Sequence, residues 1–134
     1  MKKSNILLVL AATAALFGCQ ATNKLVGVWE AEVMGMKATQ TMNADNSFVQ
    51  VMDIPMISGA KATTTGTWKL EADKLTITPK DVKFEGMPEQ YKAMAETQKT
   101  QVIGKDQVAT LAWKTDDEMV LTMNGQQQVF KRKK

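Results

Sequence analysis

Apolar and polar positions alternate along most of this chain with the period of a strand. Residues 26–33 place Trp29, Ala31 and Val33 on one face, as a half-buried strand requires. The same signal, rich in β-branched residues, predicts strands over 37–42, 47–54, 62–70, 75–78, 107–114, 119–123 and 126–132. Turn sequences separate them: Asn43-Ala44-Asp45-Asn46, Glu71-Ala72-Asp73, Thr115-Asp116-Asp117 and Asn124-Gly125. The Asn-Gly pair is the strongest of these, because both residues tolerate the positive φ of a tight hairpin. One stretch departs from the alternation. Residues 88–103 set Tyr91, Met94, Gln98 and Val102 at helical spacing, open on Pro88 and stop at Gly104, which predicts a single helix. It would plug a barrel mouth or lie against the outer wall. About eight strands in hairpin order imply an all-β fold, an antiparallel up-and-down barrel, since closure removes exposed edges. Alternation turns Met42, Met52, Trp68, Leu75, Ile77, Leu111, Trp113, Leu121 and Met123 inward.

The N-terminus carries a different pattern. Lys2 and Lys3 precede an uncharged apolar run from Ile6 to Phe17, too short to span a bilayer and typical of an export signal. It ends in Leu16-Phe17-Gly18-Cys19, which resembles the lipobox of bacterial lipoproteins. The resemblance implies cleavage between Gly18 and Cys19, with lipid attached to Cys19. Cys19 is the only cysteine in the chain, so its position at the end of the signal is informative. Gln20 follows it where an Asp would retain a Gram-negative lipoprotein at the inner membrane, and the resemblance therefore implies the outer membrane, on its periplasmic face. The expected organisation is a signal peptide over 1–18, a lipidated tether over 19–24 and a barrel domain over 25–134.

Cleavage leaves 116 of the 134 residues, enough for one domain with one core. Lys2 and Lys3 leave with the signal, and the formal charge falls from +3 to +1. That balance points away from a nucleic-acid partner. No disulfide can form within the mature domain, so packing and hydrogen bonds must hold it.

Gly27-Val28-Trp29 resembles the first-strand Gly-x-Trp signature of the lipocalins. Residues 42–48, 66–70 and 73–78, with the terminal Phe130-Lys131-Arg132, are similar to pieces of small bacterial lipocalin-like lipoproteins. The resemblance implies a barrel whose bottom is closed by Arg132 stacked over Trp29, with both residues structural. Asn46 stands where that family has a turn glycine, and the insertion between Thr78 and Gln107 has no counterpart in secreted lipocalins. An eight-stranded barrel is either filled by side chains or holds one small ligand, and the fold alone does not choose between them.

Chemistry is sparsely provisioned. There is no histidine, Ser47 and Ser58 have no base paired with them in sequence, and no catalytic residue or cofactor is expected. Asp116-Asp117-Glu118 lacks the alternating spacing of a calcium loop and reads as a solvated turn. The mature chain is rich in methionine. Met34-x-Met36 and Met52-x-x-x-Met56 raise a Cu(I) reading, but methionine as adaptable apolar filler accounts for them better. Lys131 to Lys134 forms a basic end that is either a solvated tail or an attraction for anionic headgroups. The leading expectation is a membrane-anchored envelope lipoprotein binding a small hydrophobic ligand, with Met42, Met52, Trp68, Leu111, Trp113, Leu121 and Met123 as lining candidates. The alternative is an envelope protein-interaction or inhibitor module with a filled barrel.

Overall fold

Strand β1 (Gly27–Val33) opens an antiparallel sheet that continues in chain order through β2 (Met36–Met42), β3 (Ser47–Asp53), β4 (Lys61–Glu71) and β5 (Lys74–Glu85). Helix α1 (Glu89–Val102) intervenes before β6 (Gln107–Thr115), β7 (Glu118–Met123) and β8 (Gln126–Arg132). Each strand pairs with its neighbour in sequence, and β8 returns to β1 to close the barrel. The computed structural model describes residues 24–33 and 35–134. Gly18, Cys19, the export segment and Met34 lie outside the described residues. Every strand and the main core cluster fall between Leu25 and Arg132, so a chain beginning at residue 20 retains the whole closed barrel.

The expected turns have the backbone they require. Asn124 and Gly125 both carry positive φ, 51° and 77°, the geometry that matches the twist of a two-residue hairpin. Asn46 takes φ 68°, a left-handed conformation that asparagine tolerates better than other residues with a Cβ.

The two ends of the barrel differ. At one end lie the 43–46, 72–73 and 116–117 turns, the entry at Lys24 and the exit at Arg132. Here Leu25, Trp29, Met42, Trp68, Leu75 and Met119 are almost wholly buried. Both buried indoles are satisfied. Trp29 donates to the Leu25 carbonyl at 2.9 Å, and Trp68 donates to the carbonyls of Ser47 and Asn43 at 3.0 and 3.2 Å. At the other end are the 54–60 loop, α1 and the 124–125 hairpin.

Two elements differ from the sequence pattern. β5 runs on to Glu85, past the expected stop at Thr78, although Pro79 lies within it. Pro79 is tolerated because β6 begins opposite Ile77, which leaves Pro79 on a free edge. A register shift on β4 between Thr65 and Gly66 also falls opposite it. In α1 the buried residue is Ala95, whereas Met94 is 54% exposed and Gln98 is also exposed. Tyr91, Ala95, Lys99 and Val102 form the inner face, one residue out of phase with the Met94 and Gln98 positions. The helix lies beside the extended half of β5, held by Lys99–Asp81 at 3.3 Å and by the Gly104 N–H donating to Pro79 O at 2.8 Å.

The β1–β8 seam is short. Among the described residues, only Trp29↔Arg132 and Glu30↔Lys131 pair across it. Toward the mouth the two strand edges face each other unpaired, and a surface groove of about 660 Å³ runs between them.

Candidate functional site

Closure of the bottom rests on Arg132. Its guanidinium carbon stands 4.3 Å from the Trp29 ring centroid, and its Nη atoms donate to the carbonyls of Lys24 (2.6 Å), Val26 (3.1 Å) and Asp116 (3.3 Å). Asp117 pairs with its Nε at 3.3 Å. Gly27 permits this approach, since a Cβ there would collide with Nη1. Trp113 packs 5.8 Å from Trp29 at a 50° tilt and lies beneath the Lys24 ammonium at 4.4 Å.

The acidic turn and the basic end meet at this same pole. Asp116 pairs with Lys24 at 3.0 Å, Asp117 also takes Lys134 at 3.1 Å, and Lys133 approaches Glu30 at 3.8 Å. Much of the terminal positive charge is thus balanced within the fold. Ser47 is engaged in its own turn, where its hydroxyl donates to Asp45 at 2.5 Å and accepts from Asn43 Nδ2 at 3.0 Å. That hydroxyl, with the Ser47 backbone N–H, holds the Asp45 carboxyl below its ordinary pKa.

Above the packed half, toward the mouth, the interior opens into a cavity of about 130 Å³. Its apolar wall is formed by Phe48, Phe130, Ile77, Leu121 and Met123, and Val102 of α1 contributes at its edge. Pro79 completes the apolar side, and the polar lining is Gln40, Gln50, Thr64, Gln107 and Gln128. These five come together through register. Gln40 on β2 faces Gln50 on β3, and Gln50 faces Thr64 on β4, giving one continuous polar rung across three strands. Gln107 and Gln128 bring two further carboxamides from β6 and β8.

The expected lining residues divide between the two halves of the barrel. Leu121 and Met123 reach the cavity. Met42, Trp68, Leu111 and Trp113 belong to or pack against the core cluster. Met52 is half-buried on β3, opposite Ala38 and Ala62. Of the methionines raised for Cu(I), Met36 is half-buried and Met56 is 94% exposed on its loop. The glutamines do not stand out in a pattern of inward apolar positions. Their signal was nonetheless present: Gln40, Gln50 and Gln128 sit in phase with Met42, Phe48 and Phe130. A polar residue on a buried face is more informative than an apolar one.

The architecture defines the class: a closed eight-stranded antiparallel β-barrel with one inserted helix, solid at one pole and hollow at the other. No protein-family model matches the chain, and no curated protein does. Among solved structures, an uncharacterized protein from Bacteroides eggerthii is similar, with a TM-score of 0.52 and 19% sequence identity over 81% of this chain and 98% of that one. At that identity the likeness concerns the fold.

Proposed function

We propose that this protein is a lipid-anchored envelope lipoprotein whose lipocalin-like barrel holds one small ligand in its mouth. The observation that carries the reading is the cavity itself: an interior void of about 130 Å³ at the hollow pole, with polar groups converging on it. A cavity of about 150 Å³ accepts a benzene-sized molecule, whereas pockets for larger ligands begin near 300 Å³. The guest is therefore compact, and an acyl chain is too large. This narrows the hydrophobic ligand expected from the lipocalin resemblance.

The anchoring half of the reading comes from the signal pattern and Cys19. Four residues lie between Cys19 and Lys24, and the five steps of chain reach at most about 18 Å when extended. Lipid on Cys19 would hold the solid pole near the membrane and turn the mouth outward. A protein-interaction module remains the second reading, favoured by the unpaired β1 and β8 edges and by Val129, which is 38% exposed beside them.

Two experiments test the proposal. Native mass spectrometry of residues 20–134 from the native host should show a stoichiometric extra mass of a small molecule, lost on denaturation. A clean apo mass that persists after incubation with an envelope extract would reject carriage. For the anchor, palmitate labelling and membrane sedimentation should both be lost in Cys19→Ser. Retention of both would reject lipidation at that residue.

A further inference from the structure

The cavity's chemistry says more about its guest than its size does. None of the described residues lining it is ionisable. A charged guest would leave water without a counter-ion to meet it, which is costly. A purely apolar guest would bury carboxamides against a surface that can neither donate nor accept, at a cost of about 1–3 kcal/mol per unsatisfied group.

Gln40 is the sharpest indicator. It is only 3% exposed, yet its sole side-chain hydrogen bond among the described residues is to the Met42 thioether at 3.4 Å, a weak acceptor. Gln50 and Gln128 make no side-chain hydrogen bond to other described residues. No fully buried side-chain nitrogen or oxygen among the described residues lacks a partner. The unpartnered carboxamide atoms are therefore accessible, and the space they line is the cavity. Each carboxamide offers an N–H donor beside a carbonyl acceptor. The complement of that pair is an adjacent acceptor and donor on the guest.

We propose, resting on the small-ligand reading above, that the cavity selects a compact neutral molecule presenting an amide-type edge, such as a lactam, a primary amide or the edge of a nucleobase-like ring. Its donor and acceptor pair with Gln40 and its neighbours on the polar rung, while its apolar body lies against Phe48, Phe130 and Ile77. This ligand class differs from the hydrophobic cargo implied by the lipocalin resemblance.

A matched set of ring probes tests it: 2-pyrrolidinone (neutral lactam), pyroglutamate (the same lactam with a carboxylate), cyclopentanone (acceptor only) and benzene (neither). Binding to residues 20–134 is read by ligand-observed saturation-transfer NMR with competition. The expected result is that 2-pyrrolidinone binds about tenfold tighter than cyclopentanone, as one or two neutral hydrogen bonds would give, and that pyroglutamate does not bind. Gln40→Leu should abolish that preference. Gln128→Leu, at a less buried position, should weaken it and covers the case in which Gln40→Leu misfolds. Cyclopentanone or benzene binding as tightly as the lactam would overturn the ligand class while leaving small-ligand carriage standing. A lactam preference unchanged in both variants would likewise overturn it, and so would binding of none of the four probes, whereas carriage itself stands or falls on the native mass.

Discussion

Arg132 shows how one side chain can close a barrel. Its stacking over Trp29 joins the first and last strands, and its hydrogen bonds take in the carbonyls of Lys24, Val26 and Asp116. A lysine is a point charge without the planar fork and satisfies few of these partners at once. Arg132→Lys is expected to cost about 2 kcal/mol, combining the cation–π contact with a lost charged hydrogen bond. Urea unfolding of residues 20–134 would measure it, and a loss below a few tenths would show that the seam closes without the guanidinium. Gly66 is constrained more simply. A Cβ there would overlap the Thr78 carbonyl oxygen and press on the Phe48 ring, so Gly66→Ala is expected to destabilise by about 3 kcal/mol by the same assay. The Trp29–Arg132 contact was legible in sequence only through family resemblance, since nothing local links residues a hundred positions apart. Gly66 was visible as part of Gly66-Thr67-Trp68, but the reason for glycine lies across the sheet on β5, where sequence spacing gives no view.

At the scale of elements, alternation located every strand because each has a wet and a dry face. It failed where that condition fails. Beyond Ile77, β5 loses β6 and carries Pro79, and the period-two signal ends although the strand does not. Helix α1 buries little, with Ala95 its one buried residue, so its apolar positions did not identify the face that packs. What fixes that face is Lys99 reaching Asp81. The Lys99 hydrogen bond is the main reason the Asp81 carboxyl sits below its ordinary value of 3.8. A depressed acid stabilises the fold fully above its unfolded value and stops doing so as pH falls through the lower folded value. Acidification below 3.8 is therefore expected to loosen α1 from β5 while the barrel persists. NMR would show the α1 amide resonances, Ala95 above all, shifting in a step that Asp81→Asn removes. A step retained in Asp81→Asn would assign the helix contact to something other than this pair.

Across the whole molecule, the barrel is stabilised unevenly in a way that matches its two poles. Indoles, the guanidinium stack and the ion pairs of the 116–117 turn gather at the solid pole, and the glutamine-lined space opens at the other. Along the barrel wall, β4 and β5 pair over eleven positions, whereas β1 and β8 pair over two among the described residues. Local opening draws on the regions with fewest hydrogen bonds and least buried apolar contact, so the seam should open first and from the mouth end. That geometry would let a guest enter between β1 and β8 without unfolding the core around Trp29 and Trp68. Native-state hydrogen exchange provides the check. Amides of Ala31 to Val33 and Gln126 to Val129 that point across the seam should exchange well before those between β4 and β5, with the Lys133 amide, which donates to the Val28 carbonyl across the seam, among the protected set. A bound guest bridging Gln40 on β2 and Gln128 on β8 would span the seam and slow exchange there, leaving the solid pole unchanged. If exchange instead slowed uniformly, the guest would be stabilising the fold as a whole, and the route of entry would have to be sought between α1 and β6.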